Sequence, residues 1–336
     1  MRYLILIYFL AIPFWAFSQN EKDAYALGVD GIKLVDQGNY EEGIKLLKQA
    51  RNLEPSDYDF AFEIGKAYAA SGNAKKAEKY LYPLQYHVNV QSDLYILLAD
   101  CYKELEDIKK NPSQDRKREL DALRYGIQKL PSDGALYLEL GKRKLEMEQP
   151  IEALAVFENG ILSAPNFSEN YYWAAKLLKA SGNDLWAWIY AELCFNMTED
   201  VELIRSSALV STEGLKAMVS GKWNADHEKL DQDFYYMMKE NCLGSLDGFA
   251  ALVNARKCVL SNWNHEGRTV KPLFDRLVLL NERNWLEAYA ASMLQETDRT
   301  AFLTWLVENG KPFEEYRTWR FWNPLQLSSQ VNRLQK

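Results

Sequence analysis

Residues 62–81 read FEIGKAYAASGNAKKAEKYL. Ile64, Gly65 and Tyr68 precede a Ser71-Gly72-Asn73 break, and Ala77 and Leu81 follow it, so apolar residues recur at helical spacing on both sides of a tight turn. Working outward, the same features return every 34 residues: Gly31, Gly65 and Ala99, then Gly141 and Ala175, with Gly38-Asn39 matching Gly72-Asn73 and Pro131 matching Pro165. From Ala99 to Gly141 the step is 42 residues, one period plus eight. The extra residues fall between Glu106 and Lys117, where Asn111-Pro112-Ser113 breaks a helix, and Ser181-Gly182-Asn183 shows that the phase then resumes. In the first period Tyr25 to Gln37 form one helix, Gly38 supplies the positive φ at its end, and Tyr40 to Leu53 form a second that Pro55 stops. Gly31 and Gly65 on first helices, and Ala77, Ala153 and Ala187 on second helices, let the two approach closely, while Tyr40, Leu47 and Leu81 fill the remaining space.

This pattern resembles the tetratricopeptide repeat. The resemblance covers residues 23–200 as five units: Leu27, Gly31, Leu34, Tyr40, Gly43, Leu47, Ala50 and Pro55; Ile64, Gly65, Tyr68, Ala77 and Leu81; Leu98, Ala99 and Tyr102, then an insertion at about 106–117, then Leu123, Gly126 and Pro131; Leu140, Gly141, Ala153, Phe157, Gly160 and Pro165; Ala174, Ala175, Leu178, Ala187, Ala191 and Cys194. Glu119 departs from the pattern in the third unit, and Gln149-Pro150 are expected to distort the fourth unit's turn. The resemblance implies an all-α, right-handed superhelical solenoid of antiparallel helix pairs, with a concave groove lined by the first helices that takes proteins or peptides. The residues at groove positions here are Tyr25, Phe62, Lys66, Ile96, Lys103, Leu138, Lys142, Tyr172, Lys176 and Lys179. Lys66, Lys142 and Lys176 share one position in their units. Along one wall they would attract an acidic or C-terminal carboxylate segment; otherwise they are a solubilising surface. The family's carboxylate clamp also uses Asn, and Ile32, Lys66, Asp100, Lys142 and Lys176 include none, so a receptor for chaperone tails is not implied.

The chain has 336 residues, 48% hydrophobic and 26% charged, the composition of a folded protein. Its net charge of -7 argues against a general nucleic-acid binder, which needs clustered cations to displace phosphate counterions. Residues 1–18 have the three parts of a secretory signal peptide: Arg2, the apolar run Tyr3 to Trp15, and Ala16-Phe17-Ser18 before a cut ahead of Gln19. An uncleaved anchor helix is the alternative. No later segment is apolar enough to span a membrane, so an exported chain of the bacterial envelope, periplasmic or extracellular, is expected. In an oxidising compartment Cys242 and Cys258, the closest pair among four cysteines, are a possible disulfide; four buried thiols are the alternative.

After residue 200 the period fades. Val201 to Ser220, Asp226 to Asn241, Leu246 to Trp263, Val270 to Arg283 and Trp285 to Leu294 read as helices, with two shorter ones over Arg299 to Asn309 and Phe313 to Trp322. Residues 201–336 are either divergent repeats or a helical cap covering the open end. The aromatic ending is either core or a docking surface, with Trp319 and Trp322 as its anchors. His87, His227 and His265 stand in no metal-binding or nucleophile motif, and His265-Glu266 is the nearest acid–base pair. No cofactor, metal or small-molecule substrate is implied. The leading expectation is therefore a non-enzymatic envelope scaffold that binds other proteins. The rivals are an enzyme with its site in 201–336 and the repeats as substrate arm, and a permanent structural subunit docking through the aromatic end.

Overall fold

Two helices can pack at backbone contact only where neither presents a Cβ, and the chain opens with such a pair. Helix α1 (residues 21–36) lies against α2 (Tyr40–Leu53). A Cβ built on Gly43 would stand 2.8 Å from the Gly31 carbonyl oxygen, and one built on Gly31 would stand 3.1 Å from the Gly43 oxygen. The computed structural model describes residues 21–108, 112–221, 229–242, 249–263 and 270–327, and every regular element among them is helical. The segment read as a signal peptide, and His227, His265 and Glu266, lie outside the described residues. The chain divides into two compact units, Met1–Pro131 and Ser132–Lys336.

In the first unit, hairpin follows hairpin: α1 with α2, α3 (Tyr58–Ala70) with α4 (Ala74–Leu81), and α5 (Ser92–Ile108) with α6 (Pro112–Lys129). A short 3-10 helix, Tyr82–Tyr86, continues from α4. Both helices of this hairpin are long: α5 has 17 residues against 13 in α3, and α6 has 18 against 14 in α2. Pro112 opens α6 at its first position, where a missing N–H costs nothing. The Arg116-Lys117-Arg118 run is tied in: Arg116 pairs with Glu106 at 2.9 Å, while Arg118 pairs with Glu78 and packs 4.1 Å from the Tyr102 ring centroid.

The second unit begins with the hairpins α7 (Gly134–Glu146) with α8 (Pro150–Ser163) and α9 (Ser168–Ala180) with α10 (Asp184–Met197). It continues through α11 (Val201–Val219), α12 (Lys229–Asn241), α13 (Phe249–Asn262), α14 (Lys271–Glu282), α15 (Leu286–Thr297) and α16 (Arg299–Trp322). Residue 200 marks no break in this unit. Helix α10 is buried from Asp184 to Asn196, between α9 and α11, and one core runs from Leu138 to Leu327. A helix with no polar face needs cover on every side, and here α11 to α16 help supply it. The two short helices expected near the end are present, joined through a kink within α16. Asn309 leaves helical geometry (φ -121°, ψ 20°) just ahead of Pro312, whose ring cannot be accommodated in a straight helix. The extended residues after α16 return to the repeats: Leu327 N–H donates to Asn166 Oδ1 at 2.7 Å, and Leu325 N–H to the Asn196 carbonyl at 2.9 Å.

One turn recurs in both units. Gly38, Gly72 and Gly182 take φ of +81°, +72° and +82°. In each case the following N–H reaches back five residues, from Asn39 to Leu34, Asn73 to Tyr68 and Asn183 to Leu178, at 2.8–2.9 Å. Gln149-Pro150 do not distort the fourth turn as expected. Glu148 adopts φ +58° and Gln149 N–H reaches Lys144 O at 2.9 Å, because Pro150 needs no donor at the first helical position. Between α14 and α15, far past the fading of the period, Asn284 (φ +59°) and Trp285 N–H to Leu280 O repeat this geometry.

Glu148→Gly should raise the unfolding free energy by up to about 1 kcal/mol, since a left-handed residue with a Cβ is strained. Gly43→Ala should lower it by about 1–3 kcal/mol by forcing α1 and α2 apart. Urea denaturation of both variants checks the pair.

Candidate protein-binding surfaces

Once glycine and alanine have been spent on helix contacts, the first helices retain a thin set of side chains for partners. On α3, Phe62 is half-buried and stacks on Tyr58 with ring centroids 5.8 Å apart. One turn on, Lys66 is exposed and lies 3.3 Å from Glu63 of its own helix. On α5, Ile96 and Lys103 are half-buried. Tyr25 is 71% exposed and lines a cavity of about 520 Å³ with Phe60, Lys22, Glu21, Glu54 and Asp57. That rim carries three carboxylates, the opposite sign to the wall of lysines the sequence suggested.

In the second unit, Tyr172 is half-buried with its ring edge-on to Trp173, 5.6 Å between centroids, and the exposed Lys176 ammonium lies 5.0 Å from the Trp173 centroid. Lys142 pairs with Glu139 at 2.9 Å and Lys179 with Asp184 at 2.7 Å. Leu138, expected in the groove, is instead buried in the core with Phe157 and Tyr171, because α7 turns that position toward its neighbours. Of the three lysines at one repeat position, Lys66 and Lys142 are offset by glutamates three residues earlier, and Lys176 rests on a tryptophan. The expected row of open positive charge is therefore largely neutralised locally.

The two tryptophans proposed as C-terminal anchors separate. Trp319 packs on Trp285 (centroids 5.5 Å apart) with the Arg276 guanidinium 4.2 Å from its ring, and lies half-buried against the core. Trp322 is 74% exposed and meets the exposed Phe321 edge-on. Cys242, at the end of α12, and Cys258, in α13, are joined in a disulfide, while Cys101 and Cys194 are buried thiols.

The most concentrated chemistry in the second unit lies where no motif pointed. Glu192 and Arg256, both almost wholly buried, pair at 2.7 Å. Glu192 Oε1 also accepts from Trp188 Nε1 at 2.8 Å and Ser211 Oγ at 2.7 Å, and Oε2 accepts from the Tyr289 hydroxyl. Asn196 donates to the Tyr289 oxygen at 2.9 Å, and Arg256 donates to the Leu252 carbonyl at 3.2 Å. Oε1 takes three donors and Oε2 takes one, so the cluster joins α10, α11, α13 and α15 through a single carboxylate. Glu192, the one acid after the first residue of DLWAWIYAELCFNM, and Arg256, the one arginine in FAALVNARKCVL, were the available sequence signal. Burial, reinforced by the Glu192 carboxylate, holds the Tyr289 hydroxyl well above its ordinary range; burial likewise raises the Tyr171 hydroxyl and the Cys194 thiol.

Comparison with known proteins places the repeats in context. Residues 34–91 match the family model of the tetratricopeptide repeat. Among solved structures, the chain is similar to TTC0263, a thermophilic TPR protein in Thermus thermophilus (16% identity, 56% of this chain, 98% of that chain, TM-score 0.42). It is also similar to MamA (17%, 55%, 96%, 0.38) and to pilF of Pseudomonas aeruginosa (12%, 89%, 99%, 0.41). Likenesses of that degree carry no functional inference. No curated protein matches the sequence.

Removing one partner of the buried pair, by Glu192→Gln or Arg256→Met, should cost about 3–5 kcal/mol, and the double variant less than the sum, as read by a urea double-mutant cycle. The raised tyrosine and cysteine values act in one direction. The unfolded chain loses these protons near pH 9 to 10 while the folded chain keeps them, so their contribution is complete below that range and declines as pH rises toward the folded values. Unfolding free energy should therefore fall steadily above about pH 9–10. Tyrosinate absorbance should show a set of hydroxyls that ionise only on unfolding.

Proposed function

We propose that this chain is an exported protein-binding scaffold of the cell envelope, recruiting partner proteins or peptides through the first-helix faces of its repeats. One observation carries the reading. In each unit a first helix keeps an aromatic residue and, four positions later, an exposed lysine: Phe62 with Lys66 on α3, and Tyr172 with Lys176 on α9. That spacing places both on one helix face, where a ring supplies contact area and an ammonium supplies selectivity. The match of residues 34–91 to a repeat family of protein-interaction modules supports the same reading, and the apolar segment before Gln19 supports export. Among the described residues no helix is long and apolar enough to cross a membrane.

A second reading has its own observation. Phe321 and Trp322, 58% and 74% exposed at the end of α16, suit a permanent docking contact. In-cell crosslinking in the source organism, with a C-terminal affinity tag and mass spectrometry, separates the two. Reproducible envelope partners lost in Phe62→Ala/Lys66→Glu or in Tyr172→Ala/Lys176→Glu support the first-helix faces. Partners lost only in Phe321→Ala/Trp322→Ala move the interface to the end of α16. The absence of any specific partner would sink both. The mass of the mature N-terminus reports whether cleavage falls before Gln19.

A further inference from the structure

On the second helices of the first unit, α2 and the α3–α4 turn enclose a cavity of about 600 Å³. Its lining includes Tyr40, Lys45, Lys48, Tyr68, Asn73 and Lys76, and none of the first-helix positions Tyr25, Phe62 or Lys66. We propose that this basin binds an acidic peptide segment of a partner protein.

The charge is concentrated and held in place. Lys48 Nζ donates to the Tyr68 hydroxyl at 2.8 Å and lies 5.2 Å from that ring's centroid. Lys76 Nζ lies 5.3 Å from the same centroid, so the two ammoniums are within about twice that distance of each other. Tyr68 in turn stacks on Tyr80, 5.6 Å between centroids, whose ring is approached by Lys48 at 5.9 Å and by the Arg51 guanidinium at 5.4 Å. Lys66, Lys142, Lys144 and Lys179 each pair with a carboxylate. Among the described residues Lys45, Lys48 and Lys76 pair with none, and Glu41 is the one acid in the lining. In a chain of net charge -7, three lysines gathered on a hollow whose lining holds a single acid, Glu41, are complementary to an external anion.

The shape selects the kind of anion. The α2 lining runs from Tyr40 to Asn52, about 18 Å of helix, a length that suits roughly five residues of extended chain rather than one isolated phosphate. No arginine fork lines the cavity, so bidentate phosphate recognition is absent from it, whereas an ammonium serves a carboxylate as a point charge. An anionic bilayer would be repelled by the chain's overall charge, while a short acidic segment meets only the local field. Ring faces and lysine stems would hold the apolar parts of the segment.

This inference rests on the protein-binding reading above, but it is tested with purified protein, so a failure of in-cell recruitment and a failure of the basin are distinguishable. The probe is fluorescein-labelled Glu-Glu-Tyr-Glu-Glu, titrated with the full chain and followed by fluorescence anisotropy, with the corresponding glutamine peptide as control. The expected result is saturable binding of the glutamate peptide that weakens with salt. It should weaken by about tenfold or more in Lys48→Gln/Lys76→Gln and stay unchanged in Lys216→Gln/Lys239→Gln, exposed lysines of the second unit. Circular dichroism checks the fold, and the single exposed change Lys76→Gln, with a smaller loss, serves if the double variant unfolds. Equal binding of the two peptides, or undiminished binding by the folded basin variants, overturns the proposal. So does complete displacement by millimolar inorganic phosphate, which assigns the basin to phosphate. Binding to phosphatidylcholine vesicles with about a quarter phosphatidylserine, lost in the basin variant and without peptide binding, would overturn it in favour of a membrane surface.

Discussion

The hairpins of this protein depend on how closely two helix backbones can approach. Gly31 and Gly43 face one another with no room for a Cβ, and a Cβ on Gly65 or Gly141 would fall inside Leu81 or Phe157. Small residues at these points fix the distance between paired helices, and that distance decides which larger side chains fill the layer between one hairpin and the next. The left-handed turn residue does the complementary work at the end of the pair, reversing the chain within three residues and satisfying the carbonyls of the finished helix. Close contact and turn together make a unit that can be stacked.

The second unit adds a constraint of another kind. A helix buried on all sides, carrying Trp186, Trp188, Tyr190 and Phe195, gains much apolar burial, but it also carries Glu192 into a place without water. That charge is tolerable because Arg256, Ser211, Trp188 and Tyr289 converge on it from α13, α11, its own helix and α15. The pair specifies which helices may surround α10, since a wrong arrangement would leave a buried ion unpaired. The disulfide between Cys242 and Cys258 and the return of residues 325–327 to Asn166 and Asn196 close the same unit covalently and by backbone hydrogen bonds.

A division of labour between surfaces follows. First-helix faces offer Phe62 with Lys66 and Tyr172 with Lys176, charges tempered by neighbours on their own helices. The basin between α2 and the α3–α4 turn, around Tyr68, gathers Lys45, Lys48 and Lys76 with Glu41 as the one acid in its lining. The cavity at Tyr25 is rimmed by acids. Three surfaces of different sign and shape suit a chain that meets more than one kind of partner segment.

The helix pairs and their turns at Gly38, Gly72 and Gly182 were legible in the order of residues, because these are local matters of backbone conformation and periodic burial. Glu192 and Arg256 were not singled out, though each stands within an apolar helical stretch. Their meeting was not legible, since residues 64 positions apart on aperiodic helices leave no spacing to read. Position in the repeat placed Leu138 in a groove because it assigns a face but not the neighbour that covers it. Glu148 and Asn284 take the glycine turn without being glycine, because the flanking helices impose the geometry and the residue bears the strain. The basin at Tyr68 exists only in the folded chain. Lys48 and Lys76 lie on different helices, and the packing of α2 on the α3–α4 hairpin is what sets both beside one ring.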